Sequence, residues 1–373
     1  MGRKRAENGQ VEIPAGNVVG VDPHKRTLSA AVVDQRGGIL GVSHFRVSGD
    51  GHRALAGWVA GFGPVVRWGI EGASGLGRHT TFYLLSHGHD VRDVCPTRTN
   101  ERARRRRQGK TDALDAERIG REVLADARLP LALKRADVGA APDPVLEQLG
   151  LWHQERRSLL ASRQHLLNEA ETLLLALPEE IREGLPRTKE VRPRLQALAA
   201  LHVEADGPTQ LRVRLLRERH DSIVELDRRE QIAVKELAQL VDAMESTLCE
   251  LCGLSVRSAA ELIVEAGDPA RFTAGGFARF NGTAPLPASS AEGDGDPVRH
   301  RLNRGGNRRV NAVLHRMAVT QLRCEPRAQK IYADARRNSH TKKEAMRILK
   351  RHLSDVVYRR MMRDRRATVT AAA

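Results

Sequence analysis

Four acidic residues stand where carboxylates could do chemistry. Val18-Val-Gly-Val-Asp22 is an apolar, β-branched run that closes on an aspartate, so its carboxylate falls at the end of a buried strand. Trp68-Gly-Ile-Glu71-Gly repeats the arrangement with a glutamate. In Lys110-Thr-Asp112-Ala-Leu-Asp115 the two acids are three positions apart on an expected helix, which turns both to one face. Taken singly, Asp112 would serve as a helix N-cap and Asp115 as a solvated acid. Taken together with Asp22 and Glu71, they form a cluster that cannot stay ionised without compensating cations. Hard oxygen donors suit Mg2+ or Mn2+, which keep positions open for phosphate oxygens. Two such ions can stabilise the attacking and leaving oxygens of a phosphodiester reaction.

Just upstream of Asp112 runs a basic stretch holding Arg102, Arg104, Arg105, Arg106, Arg107 and Lys110. A charge run is commonly a solvated face, but beside a metal site it lies where a phosphate backbone has to pass. A second basic group comprises Arg299, Arg301, Arg304, Arg308 and Arg309. It follows the loop Pro285-Leu-Pro-Ala-Ser289-Ser290, and loop serines on their own are mostly just loop serines. A serine attacking DNA needs its proton removed and cations to neutralise the pentacoordinate phosphate. The arginines and the helix start at Asn307 would supply the second requirement.

The whole composition points the same way. Lys+Arg number 62 against 46 Asp+Glu, a net charge of +16, with a pI near 10.5. Such a surplus implies a polyanionic partner, nucleic acid before an anionic membrane. Aromatics make up only 3% of the chain, too few for binding by rows of base-stacking rings. No apolar run reaches the roughly 18 residues that would span a bilayer. Of the cysteines Cys95, Cys249, Cys252 and Cys324, the second and third form one CxxC with no second pair nearby. Ordinary helix positions are the better reading against zinc or redox chemistry, and a reduced cytoplasmic protein is expected.

The elements that must position these residues follow from periodicity. Strands are expected over Asn17–Asp22, Leu28–Asp34, Gly38–Val47, Val65–Glu71 and Asp90–Cys95, with helices over Gly51–Gly61, Gly77–His87 and Asp112–Leu124. A hairpin of strands followed by alternating helix and strand gives a mixed α/β sheet in an RNase H-like order. Strands one and four could then lie side by side, with the Asp112 helix across their ends. Pro130–Pro144 reads as a linker. Leu149–Leu177 and Leu216–Leu251 carry coiled-coil periodicity broken by Pro178–Pro208. Such helices make either an arm or dimer interface, or an intramolecular hairpin. Cys252–Asp268 resembles a helix-hairpin-helix, with Ser255 where that motif usually has its second glycine. The loop Asn281–Gly306 precedes a helix over Asn307–Arg323.

From about Asn17 to the C-terminal helices the chain resembles transposases of the IS110 family. Gly20-Val-Asp22 with Lys25 matches the family's first strand, and Ile70-Glu71-Gly72 its second acidic strand end. Lys110-Thr-Asp112-Ala-Leu-Asp115-Ala is the family's most specific motif, present intact. Gly282-Thr-Ala-Pro285, Ser289-Ser290 and Gly306-Asn-Arg-Arg309 match its C-terminal half.

The resemblance implies a RuvC-like DEDD domain over 17–129 after a tail over 1–16. A linker and coiled-coil arm over 130–250 follow, then a transposase domain over 251–366 and a tail over 367–373. It also implies a serine nucleophile. The family's spacing selects Ser290, although Ala291 stands where the family often has glycine, so Ser289 stays an alternative. Further implications are DNA at the element ends and target, a structured noncoding guide RNA, dimers that pair into tetramers, and a bacterial, nucleoid-associated setting. The expected function is a transposase that cuts and rejoins DNA through a serine–DNA intermediate. Two rivals are a metal-dependent junction endonuclease that uses water, and a nucleic-acid-binding protein without catalysis.

Overall fold

The computed structural model describes residues 15–94, 111–137, 143–204, 207–287, 300–301 and 306–372. The chain divides into two compact units, one of Met1–Pro142 with Ala266–Thr273 and the other of Asp143–Glu265 with Ala274–Ala373.

The first unit is built on a five-stranded sheet. In chain order it contains β1 (Asn17–Pro23), β2 (Thr27–Val33), β3 (Ile39–Arg46), α1 (Gly49–Ala60), β4 (Val65–Glu71), α2 (Arg78–Ser86), β5 (Val91–Val94) and α3 (Asp112–Ala125). The strand order is β3-β2-β1-β4-β5. β1, β2 and β3 pair antiparallel, whereas β4 runs parallel to β1 and β5 parallel to β4. This is the mixed, RNase H-like order expected from the sequence, with the first and fourth strands adjacent.

Alternation along the strands divides the core between two faces. Val19, Val21, Trp68 and Ile70 point to one side, into a cluster with Leu55, Val59 and Leu84 from α1 and α2. Val18 points to the other, where Ile119 and Val123 of α3 pack with Val33 and Val94. Asp22 is in phase with Val18, and Glu71 with Gly69, so both carboxylates lie on the α3 side. Glycine in these strands lets the helix sit directly on the sheet. A Cβ on Gly20 would stand 2.1 Å from the Ala116 carbonyl oxygen and 2.3 Å from the Gly120 nitrogen. A Cβ on Gly69 would stand 2.2 Å from Val123 Cγ2. The apolar strands thus tolerate their glycines because backbone and helix approach closely there.

The stretch from Pro130, expected as a linker, begins by packing on the sheet. Leu131 bridges to Arg92, Ala132 is fully buried, and the Asp93 nitrogen donates to the Pro130 carbonyl at 2.9 Å. The segment Ala266–Thr273 belongs to the same unit, its Asp268 nitrogen donating to the Lys134 carbonyl at 3.0 Å.

The second unit holds two long helices, α4 (Pro144–Leu175) and α7 (Gly207–Ala243), separated by α5 (Glu179–Glu183) and α6 (Val191–Ala200). Asp143 caps α4 by accepting from the Val145 and Leu146 nitrogens. Arg156 pairs with Glu230 at 3.0 Å, Arg163 with Asp227 at 2.7 Å and Arg219 with Glu169 at 2.9 Å. Ascending positions on α4 thus meet descending positions on α7, so the two run antiparallel within one chain. Ala170, Leu174, Leu195, Leu198, Val213 and Leu216 form the cluster that α6 closes. After a 3-10 turn at Thr247–Glu250 come α8 (Val256–Ala266), α9 (Ala274–Phe280), β6 (Leu286–Pro287), β7 (His300–Arg301), α10 (Arg308–Cys324), α11 (Pro326–Arg337) and α12 (Lys342–Ala372). The turn expected to resemble a helix-hairpin-helix therefore lies between a 3-10 turn and α8.

Gly20→Ala forces its new methyl against backbone atoms of α3, which cannot rotate away. The substitution is expected to destabilise the chain by about 1–3 kcal/mol, read as a lower midpoint in denaturant unfolding. Gly57→Ala, whose added Cβ meets nothing within 4 Å, is the control and should leave the midpoint in place or raise it.

Candidate metal centre

Three elements bring the predicted acids together. Val21 pairs with Ile70 across β1 and β4, so Asp22 and Glu71 leave adjacent strand ends at the same level. Gly72 follows with φ +63°, a conformation that favours glycine, and the chain turns there so that the Gly72 carbonyl accepts from Gly75 at 2.8 Å. Thr111 caps α3 by accepting from the Leu114 nitrogen at 3.3 Å. That cap fixes Asp112 and Asp115 in the first turn of the helix, where the helix dipole favours negative charge. The seating of α3 on Gly20 and Gly69 then carries this first turn to the end of β1.

The electrostatics at Asp22 reflect both its burial and its acidic neighbours. Burial pushes the Asp22 carboxyl up from 3.8 to about 6; His24 opposes the shift, while Glu71, Asp115 and Asp112 add to it. The other three expected carboxylates therefore all act on Asp22. Their charges are partly compensated by the chain itself: Arg118, nearly buried, holds Asp115 at 2.5 Å.

His24 is a member of the cluster that the acid pattern did not single out. Its Nε2 lies 3.2 Å from Asp112 Oδ2 and 3.5 Å from Asp22 Oδ2. That nitrogen is enclosed yet makes no hydrogen bond of acceptable geometry. The available signal was its spacing, two residues beyond Asp22 and so on the same side of the strand end. Donor atoms of Asp22, His24 and Asp112 all lie within 4.8 Å of one another. An enclosed nitrogen without a hydrogen-bond partner, facing two carboxylates, fits a divalent cation. A mixed O/N donor set suits several divalent ions and does not single out one.

The second expected centre is described only at its base. Ser289, Ser290, Arg299 and Arg304, like the run Arg102–Lys110 and Cys95, lie outside the described residues; Arg301 is in β7 with its side chain likewise outside. The ends of the serine loop are held together. A Cβ on Gly306 would meet the Gly282 nitrogen at 2.3 Å, and the Asn307 nitrogen donates to the Phe280 carbonyl at 2.6 Å. Asn307 caps α10, accepting from the Arg309 and Val310 nitrogens. Its amide donates to Glu265 Oε2 at 2.8 Å, and Arg309 pairs with Glu265 Oε1 at 2.5 Å. Arg309 is therefore a structural partner of Glu265 as well as a candidate phosphate contact, and both Arg308 and Arg309 are exposed. Glu265 and Asn307 were not among the predicted site residues.

A carboxylate cluster at the shared end of the first and fourth strands of an RNase H-like sheet defines an enzyme of the nuclease–recombinase class. Comparison with known proteins makes the class specific. Residues 19–177 match the DEDD transposase model of IS110 type, and residues 245–333 match the transposase IS116/IS110/IS902 family. The chain belongs to the IS110 family of transposases. No curated protein matches it. Among solved structures it is similar to T. thermophilus RuvC in complex with a Holliday junction substrate, at 13% identity and a TM-score of 0.23, covering 28% of this chain and 89% of that one. No helix among the described residues is long and apolar enough to cross a membrane.

The raised Asp22 pKa sets a sign for stability. The folded chain holds this proton more tightly than the unfolded chain, so wild type loses stability as pH rises from about 4 to about 6. Asp22→Asn removes that loss. In metal-free buffer at neutral pH the variant should be more stable by roughly 2–3 kcal/mol, with the difference vanishing near pH 4. Equal denaturation midpoints at both pH values would contradict the crowded, half-buried carboxylate.

Proposed function

We propose that this transposase cuts and rejoins DNA through a serine–DNA covalent intermediate, using a Mg2+-binding site formed by Asp22, Glu71, Asp112 and Asp115. The observation that supports the reading is the meeting of Asp22, His24 and Asp112 donor atoms within 4.8 Å of one another, with Glu71 and Asp115 also acting on the Asp22 carboxyl. Mg2+ suits a site of hard oxygens that leaves room for phosphate oxygens, and Mn2+ is the expected substitute. When bound, the ions would supply charge stabilisation at the scissile phosphate and its attacking oxygen. Loss of the Asp22 proton and uptake of a cation are linked, because the ligand must be ionised.

The chain's own residues supply the remaining requirements. Ser290 is the proposed nucleophile, with Ser289 as the alternative. Its Oγ would attack phosphorus, and the P–O bond to the neighbouring nucleotide would break, releasing a protonated hydroxyl end. Arg308, at the first position of α10, and Arg309, steadied by Glu265, are suited to meet that phosphate beside the helix N-terminus. Arg299, Arg301 and Arg304 would extend the contact. Arg102, Arg104, Arg105, Arg106, Arg107 and Lys110, next in sequence to the acid-bearing helix, would guide the nucleic-acid backbone towards the metal centre.

A structured noncoding RNA as guide, assembly of dimers into tetramers, and a nucleoid-associated setting belong to this reading. They rest on the family resemblance; the net charge of +16 suits nucleic acid in general and does not favour RNA over DNA. Catalysis shared between subunits would let the acids of one chain serve Ser290 of another. A site that activates water and needs no serine is the rival reading, because the acid centre is the one the described residues assemble.

The deciding experiment mixes the full chain with Mg2+, element-junction DNA and its flanking RNA, then denatures the products and looks for a protein–DNA adduct. An adduct lost in Ser290→Ala and in Asp22→Asn is expected, with activity falling by at least about 100-fold in each. Cleavage without adduct, unchanged by Ser290→Ala and Ser289→Ala, would establish water as the nucleophile.

A further inference from the structure

Sequence spacing pairs Cys249 with Cys252, but folding gives Cys252 a different neighbour. Its Sγ lies 3.0 Å from that of Cys324, 72 positions away. Two sulfurs at this distance are inside the roughly 3.5–4.0 Å at which non-bonded heavy atoms normally rest. They are about 1 Å from the 2.03–2.05 Å of a disulfide. Cys252 lies in the turn that enters α8, and Cys324 is the last residue of α10.

The backbone on both sides is pinned by contacts that involve no sulfur. Gln321 Nε2 donates to the Cys252 carbonyl at 2.8 Å. Gly253 sits so close to α10 that an added Cβ would be 3.1 Å from the Met317 carbonyl oxygen. The two thiols are therefore presented to each other by a rigid contact rather than by chance encounter of loops. Both are reachable, since Cys324 is exposed and Cys252 half-buried.

We propose that Cys252 and Cys324 are a redox modification site, closing to a reversible disulfide when the protein meets a peroxide or a disulfide oxidant. With peroxide, the exposed Cys324 thiol becomes a sulfenic acid and one water is released. The Cys252 sulfur then attacks that sulfur, the S–O bond breaks, and a second water leaves. The two thiols are oxidised and the peroxide is reduced, with no other reactant. The hydrogen bond with Cys324 raises the Cys252 thiol above its ordinary range, which suits it to the resolving rather than the initiating role. A thiol reductant reopens the pair, as expected for exposed disulfides.

Closure would have a structural effect beyond the two residues. The chain between them carries α8, α9, the loop with Ser289 and Ser290, and all of α10. A cross-link that joins the ends of so long a segment limits its unfolded freedom most. Oxidation would thus staple the segment that holds the serine loop.

The test uses the full chain, reduced and then treated with hydrogen peroxide or oxidised glutathione. Free thiols are alkylated, and the protein is digested without reductant for mass spectrometry. A cross-linked peptide joining Cys252 to Cys324 is expected, together with a melting temperature a few degrees above that of the reduced chain. Both should disappear on adding dithiothreitol and in Cys324→Ser, and both should persist in Cys249→Ser. Alkylation of both thiols after oxidation, a stable glutathione adduct on Cys324, or a link from Cys252 to Cys249 or Cys95 would each overturn the proposal. The alkylation pattern is read on the wild-type chain, so a poorly folding variant does not blunt it.

Discussion

Repulsion among carboxylates, held in place by close contact between a helix and a sheet, is the constraint on which the first unit depends. α3 rests backbone to backbone on Gly20 and packs the side chains of Ile119 and Val123 directly over Gly69. It cannot retreat without emptying the apolar cluster of Val18, Val33, Ile119 and Val123. Hydrophobic burial therefore holds Asp112 and Asp115 against Asp22 and Glu71 although their charges oppose it. The cost is visible at Asp22, whose carboxyl is driven up to about 6, by burial first and by the neighbouring acids second. Arg118 and His24 relieve part of it. A cation would relieve the rest, which is how a fold stores affinity for a metal in a destabilised acid cluster.

The second unit solves a different problem. Its long helices need no partner chain to bury their seam, because α4 and α7 pair antiparallel and carry several cross-helix ion pairs. Towards the C-terminus the chain spends its polar side chains on closing one loop. Asn281, fully buried, donates to Ser354 at 2.8 Å and accepts from Thr283. Asn307 and Arg309 share Glu265. These bonds draw Gly282 and Gly306 together, so the serine-bearing segment leaves and rejoins a fixed base. His153 lies in the same neighbourhood, where burial lowers its pKa to about 4 and Glu265 opposes the shift. It stays neutral at physiological pH and adds no charge to the Glu265 network.

Much of this was legible in the sequence because the strongest signals were local. The Val-Val-Gly-Val-Asp22 strand, the apolar run into Glu71 and the helical spacing of Asp112 and Asp115 each follow from periodicity within a few residues. Adjacency of strands one and four followed from the hairpin-then-alternation order. What escaped was non-local. His24 matters only because the start of α3 arrives opposite it, and Glu265 because α10 begins beside it. The Pro130 region resembles a linker in composition, yet Leu131 and Ala132 are drawn onto β5 and into the core. The CxxC spacing suggested nothing about Cys324, whose proximity to Cys252 depends on how α10 packs beside α8.

The central claim is that the acids at the strand ends form one divalent-cation site centred on Asp22. The most direct measurement is titration of the purified full chain with Mn2+ at neutral pH, with free ion read by electron paramagnetic resonance. Wild type, Asp22→Asn and Glu117→Gln would be compared, since Glu117 lies on α3 but pairs with Arg121. Saturable binding that Asp22→Asn abolishes and Glu117→Gln preserves is the predicted result. Equal binding by wild type and Asp22→Asn would contradict the account.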